Sequence, residues 1–397
     1  MLVQFSFKNF GAFREKTTFD MRAIKTYKEH PYNLEKINDK NSLIKVAAVY
    51  GANASGKSNF INAYHYFVNL VRESMNISEN QKESILSEYY NPFLFTEDNI
   101  DNETEFEAIY IGYGHEYTYG FTYNKNEIGY EWLYKKNLLT NRKITVFERE
   151  KNKILLGASF KKSCEKYVTQ VESDVLTLSF FNRLRLRTQV FKEAFDCTQS
   201  ILAMSYDINI KWLFEEFFKD DFDNFEKERL LKFLNCIDTG IKDITIEKNK
   251  KNIQVNTHHT GLNGEDYCVP IDIESDGTKK AIIIFSFFCV ALEYGKGLII
   301  DELNTKLHPL LLKYLIDLFY KEDKFAQLIY TTHDTSLLDK RYFRRDQVWF
   351  VEKDALGKAT LYSLAEFKVR NDASFEKEYL GGLYGGIPIL SDCDWEN

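Results

Sequence analysis

No stretch of the chain restricts its fold as tightly as residues 51–58, which read Gly51-Ala52-Asn53-Ala54-Ser55-Gly56-Lys57-Ser58. The octet fits the pattern G-x-x-x-x-G-K-[ST] in full. The apolar run from Leu43 to Tyr50 leads into it, and residues 58–75 leave it with helical spacing, placing Phe60, Tyr64, Phe67, Val68 and Val71 on one face. A buried strand, a glycine turn and a helix, in that order, aim backbone N–H groups at a phosphate. Gly51 and Gly56 let the backbone curl inward, with Asn53, Ser55 and Asn59 around the same turn. Lys57 supplies a cation for the β- and γ-phosphates, and the Ser58 hydroxyl is a ligand for Mg²⁺. The expectation is an α/β P-loop fold that holds ATP with Mg²⁺.

Two later segments fit the same chemistry. Gly297-Leu298-Ile299-Ile300-Asp301-Glu302 is an apolar strand ending in two carboxylates. In a P-loop protein the first, Asp301, helps hold Mg²⁺, and the second, Glu302, orients the attacking water. Strand alternation would send the two side chains to opposite sides, matching two different roles. "LIYTTHDTSLL" then places His333 after an apolar strand and two threonines, where a group that senses the γ-phosphate would sit.

Around these motifs the chain changes character several times. Residues 2–20 alternate like a β-hairpin, and residues 104–160 hold aromatic-rich alternating segments that predict an antiparallel sheet. Residues 165–240 carry Leu and Phe at helical spacing, clearest in "IKWLFEEFFKDDFDNFEKERLLKFL", which suggests an arm projecting from the core, with additional core as the alternative. Helices are expected from about Asp276 to Tyr294 and from about Pro309 to Tyr320, with strands at "AQLIYTTH" and "QVWFVEKD". The six cysteines form no close pair, as suits reduced thiols. A net charge of −7 argues against a general affinity for nucleic acid, so such contact would need a local patch. The N-terminus lacks a secretory pattern, and the longest apolar stretch, Ala281 to Leu292, is too short to span a bilayer. Both point to the cytoplasm and away from membranes.

P-loop, strand-Asp-Glu and strand-Thr-Thr-His together resemble the ABC-type ATPase heads of the SMC, RecF and OLD proteins. The opening "FSFKNFGAF" is similar to their first strand and turn, which implies that Lys8 and Asn9 lie near the nucleotide. Those heads also use a Ser-Gly signature that completes the partner's site across a dimer. Glu274-Ser275-Asp276-Gly277-Thr278-Lys279-Lys280 occupies the matching place in degenerate form, implying that role for Ser275 and Gly277. The plainer reading of Ser275 is a helix N-cap. "DELNTKLHPLLLKYLI" resembles the DELD-x-x-LHP string of stand-alone AAA-family ATPases of abortive-infection and other phage-defence loci, with Asn304 where Asp is expected. "RRDQVWFVEKD" and "YLGGLYGGIP" also resemble that group, with Leu383 in place of Arg.

The resemblance implies an ATPase head in two parts, residues 1–163 and 265–397, separated by a mainly helical insertion at 164–264. It also implies a homodimer, or a higher homo-oligomer, closing around nucleotide. An effector in the same chain is not evident. Roughly sixty residues follow His333, too few for a Toprim domain, and no histidine has the preceding arginine of an HEPN ribonuclease. Asp392 with Asp394, and Asp354 with Glu366 and Lys368, only imitate metal-binding sets. The basic run with Arg183, Arg185, Arg187 and Lys192 is a candidate contact for nucleic acid or an acidic partner. The expected role is the ATPase and sensor subunit of a phage-defence system that controls a separate nuclease or toxin, an RloB-like protein for example. The alternative is a RecF- or SMC-like DNA-repair ATPase.

Overall fold

The computed structural model describes residues 1–39, 41–75, 84–95, 102–184, 186–204, 208–217, 224–237, 239–249, 252–321, 325–370 and 373–388. In chain order the N-terminal half contains strands β1 (Leu2–Lys8), β2 (Thr17–Asp20), β3 (Leu34–Lys36), β4 (Ser42–Ile44) and β5 (Val46–Tyr50), then helices α1 (Lys57–Glu73) and α2 (Ile85–Glu88). An antiparallel run follows: β6 (Thr104–Gly112), β7 (His115–Tyr123), β8 (Ile128–Asn137), β9 (Lys143–Glu150) and β10 (Lys153–Leu156). Next come α3 (Lys161–Cys164), α4 (Thr177–Arg183), α5 (Val190–Thr198), β11 (Ile201–Met204), α6 (Ile210–Phe217) and α7 (Asn224–Cys236). The remainder is β12 (Ile241–Asn249), β13 (Asn252–Thr260), β14 (Asp266–Pro270), α8 (Asp276–Tyr294), β15 (Gly297–Ile300), α9 (Pro309–Lys321), β16 (Gln327–Thr332), β17 (Val348–Lys353), β18 (Ala359–Ser363) and α10 (Phe375–Leu380).

Two sheets organise these elements. A six-stranded sheet runs β11-β15-β16-β5-β17-β18, parallel except for β18 at its edge. Strands β15, β16 and β5 are buried on both faces, which explains the unbroken apolar run of β5. Ala47 and Val49 enter one core while Val46, Ala48 and Tyr50 enter the other, and Ile299 and Ile329 are divided from Leu298, Ile300, Leu328 and Tyr330 in the same way. The first core is closed by α1 and by a seven-stranded antiparallel sheet, β10-β9-β8-β7-β6-β1-β2. The second core is closed by α8 and α9, with α6 and α7 packed beside them.

The fold is therefore α/β with an antiparallel β subdomain. The stretch 164–264 departs from the expected insertion. It does hold helices, but its β11 is the edge strand of the parallel sheet, pairing Ile201–Met204 with Gly297–Ile300, and its β12–β13 hairpin joins β14 in a separate sheet. The described parts of "IKWLFEEFFKDDFDNFEKERLLKFL" are no projecting arm. Leu213, Phe214, Phe233 and Leu234 are buried in the second core, and Phe233 stacks on Phe285 of α8 at 4.1 Å. An apolar helix face needs a cover, and here the chain supplies its own.

Candidate functional site

The P-loop lies between β5 and α1, as the sequence predicts. Ala54 (φ 61°) and Gly56 (φ 115°) turn the backbone through the left-handed region, and at Gly56 only glycine adopts this without strain. At Gly51 a Cβ would sit 2.6 Å from both Ser55 Oγ and the Val351 carbonyl, so the close approach needs glycine there too. Gly56 caps α1 without a side-chain acceptor, leaving N–H groups of the first turn for another partner. Ser55 Oγ is buried with no hydrogen-bond partner. Lys57 is buried and folds back, its Nζ donating to the carbonyls of Gly51 (2.8 Å) and Ala52 (2.9 Å). An uncapped helix start, an orphaned hydroxyl and an ammonium held by weak neutral acceptors make a cradle that suits a phosphate chain. Asn53 and Ser58 are exposed at its mouth, and half-buried Asn59 packs against the Gly11 turn.

Facing this cradle are the ends of β15 and β16, the latter lying between β15 and the P-loop strand β5. Burial holds the Lys57 ammonium below the usual lysine pKa, and Glu302 and Asp301 both pull it the other way. Both carboxylates thus act on Lys57. The expected alternation fails because β15 ends at Ile300, and Glu302 adopts φ 48° in the turn that follows. Thr331, at the end of β16, organises the pair. Its hydroxyl donates to Asp301 Oδ1 and accepts from the Glu302 N–H at 2.8 Å. Thr305 Oγ1 donates to Glu302 Oε2 at 3.3 Å.

His333 is exposed just beyond β16, with Nε2 at 3.4 Å from Asn304 Nδ2. The Thr332 hydroxyl donates to Asn304 Oδ1 at 2.8 Å and so fixes the amide that faces the ring. Sequence reasoning gave no role to Thr331. The sequence offered the Thr-Thr pair before His333, but it takes the register, with Ile300 opposite Tyr330, to set Asp301 level with Thr331.

Asn9 is buried in a positive-φ turn with its amide committed to backbone: Nδ2 donates to the Asn102 carbonyl at 2.8 Å, and Oδ1 accepts from Phe93 N at 3.0 Å. It therefore clamps the loop before β6. Lys8 is exposed and shares with Arg14, Glu15, Glu103 and Glu105 a polar cleft of about 500 Å³, none of whose lining residues belongs to the P-loop. Ser275 N-caps α8, accepting from Thr278 N at 3.1 Å, while Lys306 Nζ meets Asp276 Oδ2 at 2.7 Å. Ser275 and Gly277, with Lys306, His308 and Tyr314, line a cavity of about 600 Å³, none of whose lining residues belongs to the P-loop. Asp354 accepts from Leu356 N and Lys358 N, and Glu366 from Ser363 N, so this imitation of a nuclease set serves local turns. Arg185, Asp392 and Asp394 lie outside the described residues.

Among the described residues no cluster of three or more His, Cys, Asp or Glu side chains could hold a metal. Mg²⁺ keeps most of its shell as water and phosphate oxygen and takes one or two protein groups. Ser58 and Asp301 are the groups this site offers.

Residues 46–339 match the family described as "AAA domain, putative AbiEii toxin, Type IV TA system", and the chain belongs to it. No curated protein matches. Among solved structures the chain is similar to an SMC head bound to the C-winged helix domain of ScpA, at 14% identity and TM-score 0.45, covering 95% of this chain and 99% of that one. It is also similar to the SMC head domain from Thermotoga maritima (14%, TM-score 0.40, 91% and 98% covered). A third is an Smc head with an extended coiled coil bound to the C-terminal domain of ScpA derived from Pyrococcus furiosus (13%, TM-score 0.43, 96% and 99% covered). Among the described residues no helix is long and apolar enough to cross a membrane.

Proposed function

We propose that this AAA-family chain is the ATPase and sensor subunit of a bacterial anti-phage system of the abortive-infection kind. It binds ATP with Mg²⁺ in the cytoplasm, dimerises around the nucleotide and controls a separate nuclease or toxin, an RloB-like protein being the partner to seek beside its gene. One observation carries the ATPase part: Asp301 and Glu302, held by Thr331, both act on the P-loop lysine Lys57. Lys57 and the first-turn N–H groups of α1 bind the phosphates. Ser58 and Asp301 supply the protein ligands of Mg²⁺, whose chemistry is to neutralise charge on the phosphate oxygens. Glu302 orients water towards the terminal phosphate, and His333, set by Asn304, reads whether that phosphate is present.

Ser275 and Gly277 are assigned to the second chain's nucleotide, in keeping with a cavity whose lining includes no P-loop residue of their own chain. The defence role rests on the DELNTKLHP string and on the AbiEii-type family. Cells carrying the gene with its neighbour test it. Infection is expected to arrest growth with the native chain but not with Lys57→Ala, and arrest that survives Lys57→Ala contradicts the proposal.

A further inference from the structure

The seven-stranded sheet buries one face against α1, where Phe5, Phe7, Phe106 and Phe121 meet Phe60 and Phe67. Its opposite face carries an unusual row. On β8, Tyr130, Trp132 and Tyr134 alternate onto the outer side, while Glu131 and Leu133 between them are buried. The Trp132 indole lies over Gly120 of the neighbouring strand, in space that any larger residue would fill. Each ring is tied to a carboxylate: Trp132 Nε1 donates to Glu107 Oε2 at 2.9 Å, Tyr134 OH to Glu148 Oε1 at 2.7 Å and Tyr130 OH to Glu150 Oε1 at 3.1 Å.

These bonds fix the rings, and a phenol or indole partner brings no positive charge of its own to the carboxylates. Among the described residues none of Glu107, Glu148 and Glu150 joins a salt bridge. Donating to a carboxylate also enriches the ring in electrons, which strengthens its attraction for a cation. The chain shows that attraction itself: Lys143 Nζ sits 4.0 Å from the centre of the Tyr134 ring. Beside the row, Tyr130, Trp132, Tyr134, Glu148, Glu150 and exposed Leu155 border a shallow cavity of about 250 Å³, with Lys153 at its edge.

We propose that this face docks a basic segment of a partner protein, whose arginine or lysine side chains stack on Tyr130 and Trp132 and pair with Glu107, Glu148 and Glu150. Charge complementarity selects the occupant. Carboxylates spaced along an aromatic row attract guanidinium and ammonium groups and repel the phosphates of nucleic acid. Lys143 already sits on Tyr134, which leaves Tyr130 and Trp132 for the partner. The inference is independent of the nucleotide site, because no residue of the row touches it.

The test titrates the full-length protein with a fluorescein-labelled arginine–glycine repeat peptide and reads anisotropy at low and physiological salt. An aspartate–glycine peptide is the control. Binding of the basic peptide alone is expected, weakening with salt and falling about tenfold in Glu148→Gln/Glu150→Gln and in Tyr130→Ser, with ATP turnover unchanged. Tyr130 is 50% exposed, so its replacement leaves the fold intact. Absence of binding up to about 1 mM peptide overturns the proposal. So does binding indifferent to these substitutions. If the double variant instead changes the particle mass in light scattering without affecting peptide binding, the occupant is a second copy of this chain, and the proposal fails.

Discussion

Replacing Thr331 by valine removes one hydroxyl and nothing else of consequence, since the two side chains share a shape and both favour strands. The hydroxyl has two partners at once, the Asp301 carboxylate and the Glu302 N–H, and Thr331 itself is fully buried. A hydrogen bond to a charged group contributes about 1.5–3 kcal/mol and a neutral one about 1 kcal/mol. Asp301 and Glu302 are both half-buried, so water restores part of the loss. A net cost of about 1.5–3 kcal/mol in the hydrolytic step is expected, corresponding to a roughly ten- to hundredfold lower kcat. Lys57 and the P-loop are untouched, so the affinity for a fluorescent ATP analogue should stay within about threefold. Phosphate release at saturating ATP measures the first quantity and nucleotide titration the second. Thr331→Ser, which keeps both bonds, should stay within about threefold of the native rate. A Thr331→Val protein turning over within about twofold of native would refute the claim that this hydroxyl sets the two carboxylates.

Three further outcomes follow from other parts of the structure. The Glu131–Arg149 pair is fully buried, and Glu131 also accepts from Tyr119 OH and from the N–H groups of Thr177 and Leu178 at the start of α4, so Arg149→Met should cost about 3–5 kcal/mol by chemical denaturation. A loss below about 1 kcal/mol would mean that the pair does not anchor α4. Burial pushes the Cys197 thiol up to about 11, so alkylation at pH 8 followed by mass mapping should label exposed Cys236 and Cys268 and spare Cys164 and Cys197 until the protein is unfolded. Rapid labelling of Cys197 in native protein would contradict the packing around β6 and α5. Ser275→Arg should abolish ATP-dependent growth of the particle in light scattering while each chain still binds ATP; association that persists would remove Ser275 from the interface.

Much of the frame could be read from local sequence, for identifiable reasons. Helix α8 runs from Asp276 to Tyr294 as expected because Ser275 caps its start and Gly295, at φ 61°, ends it. The P-loop was legible because its glycines answer to backbone geometry alone. Misreadings arose where an element's meaning depends on a distant partner. β11 is four residues long, and only its pairing with β15, almost a hundred residues later, makes it part of the central sheet. The amphipathic pattern of α6 and α7 describes an apolar face without saying what covers it. The Asp301–Glu302 pair escaped the alternation rule because β15 ends at Ile300, before either carboxylate.

The central claim is that Glu302 orients the water that attacks ATP held by Lys57. Purified Glu302→Gln protein, assayed for phosphate release and for nucleotide binding, tests it most directly. The account predicts turnover reduced by at least about tenfold with nucleotide binding retained, because the amide keeps the volume and loses the charge that orients water. Native turnover in Glu302→Gln would contradict it.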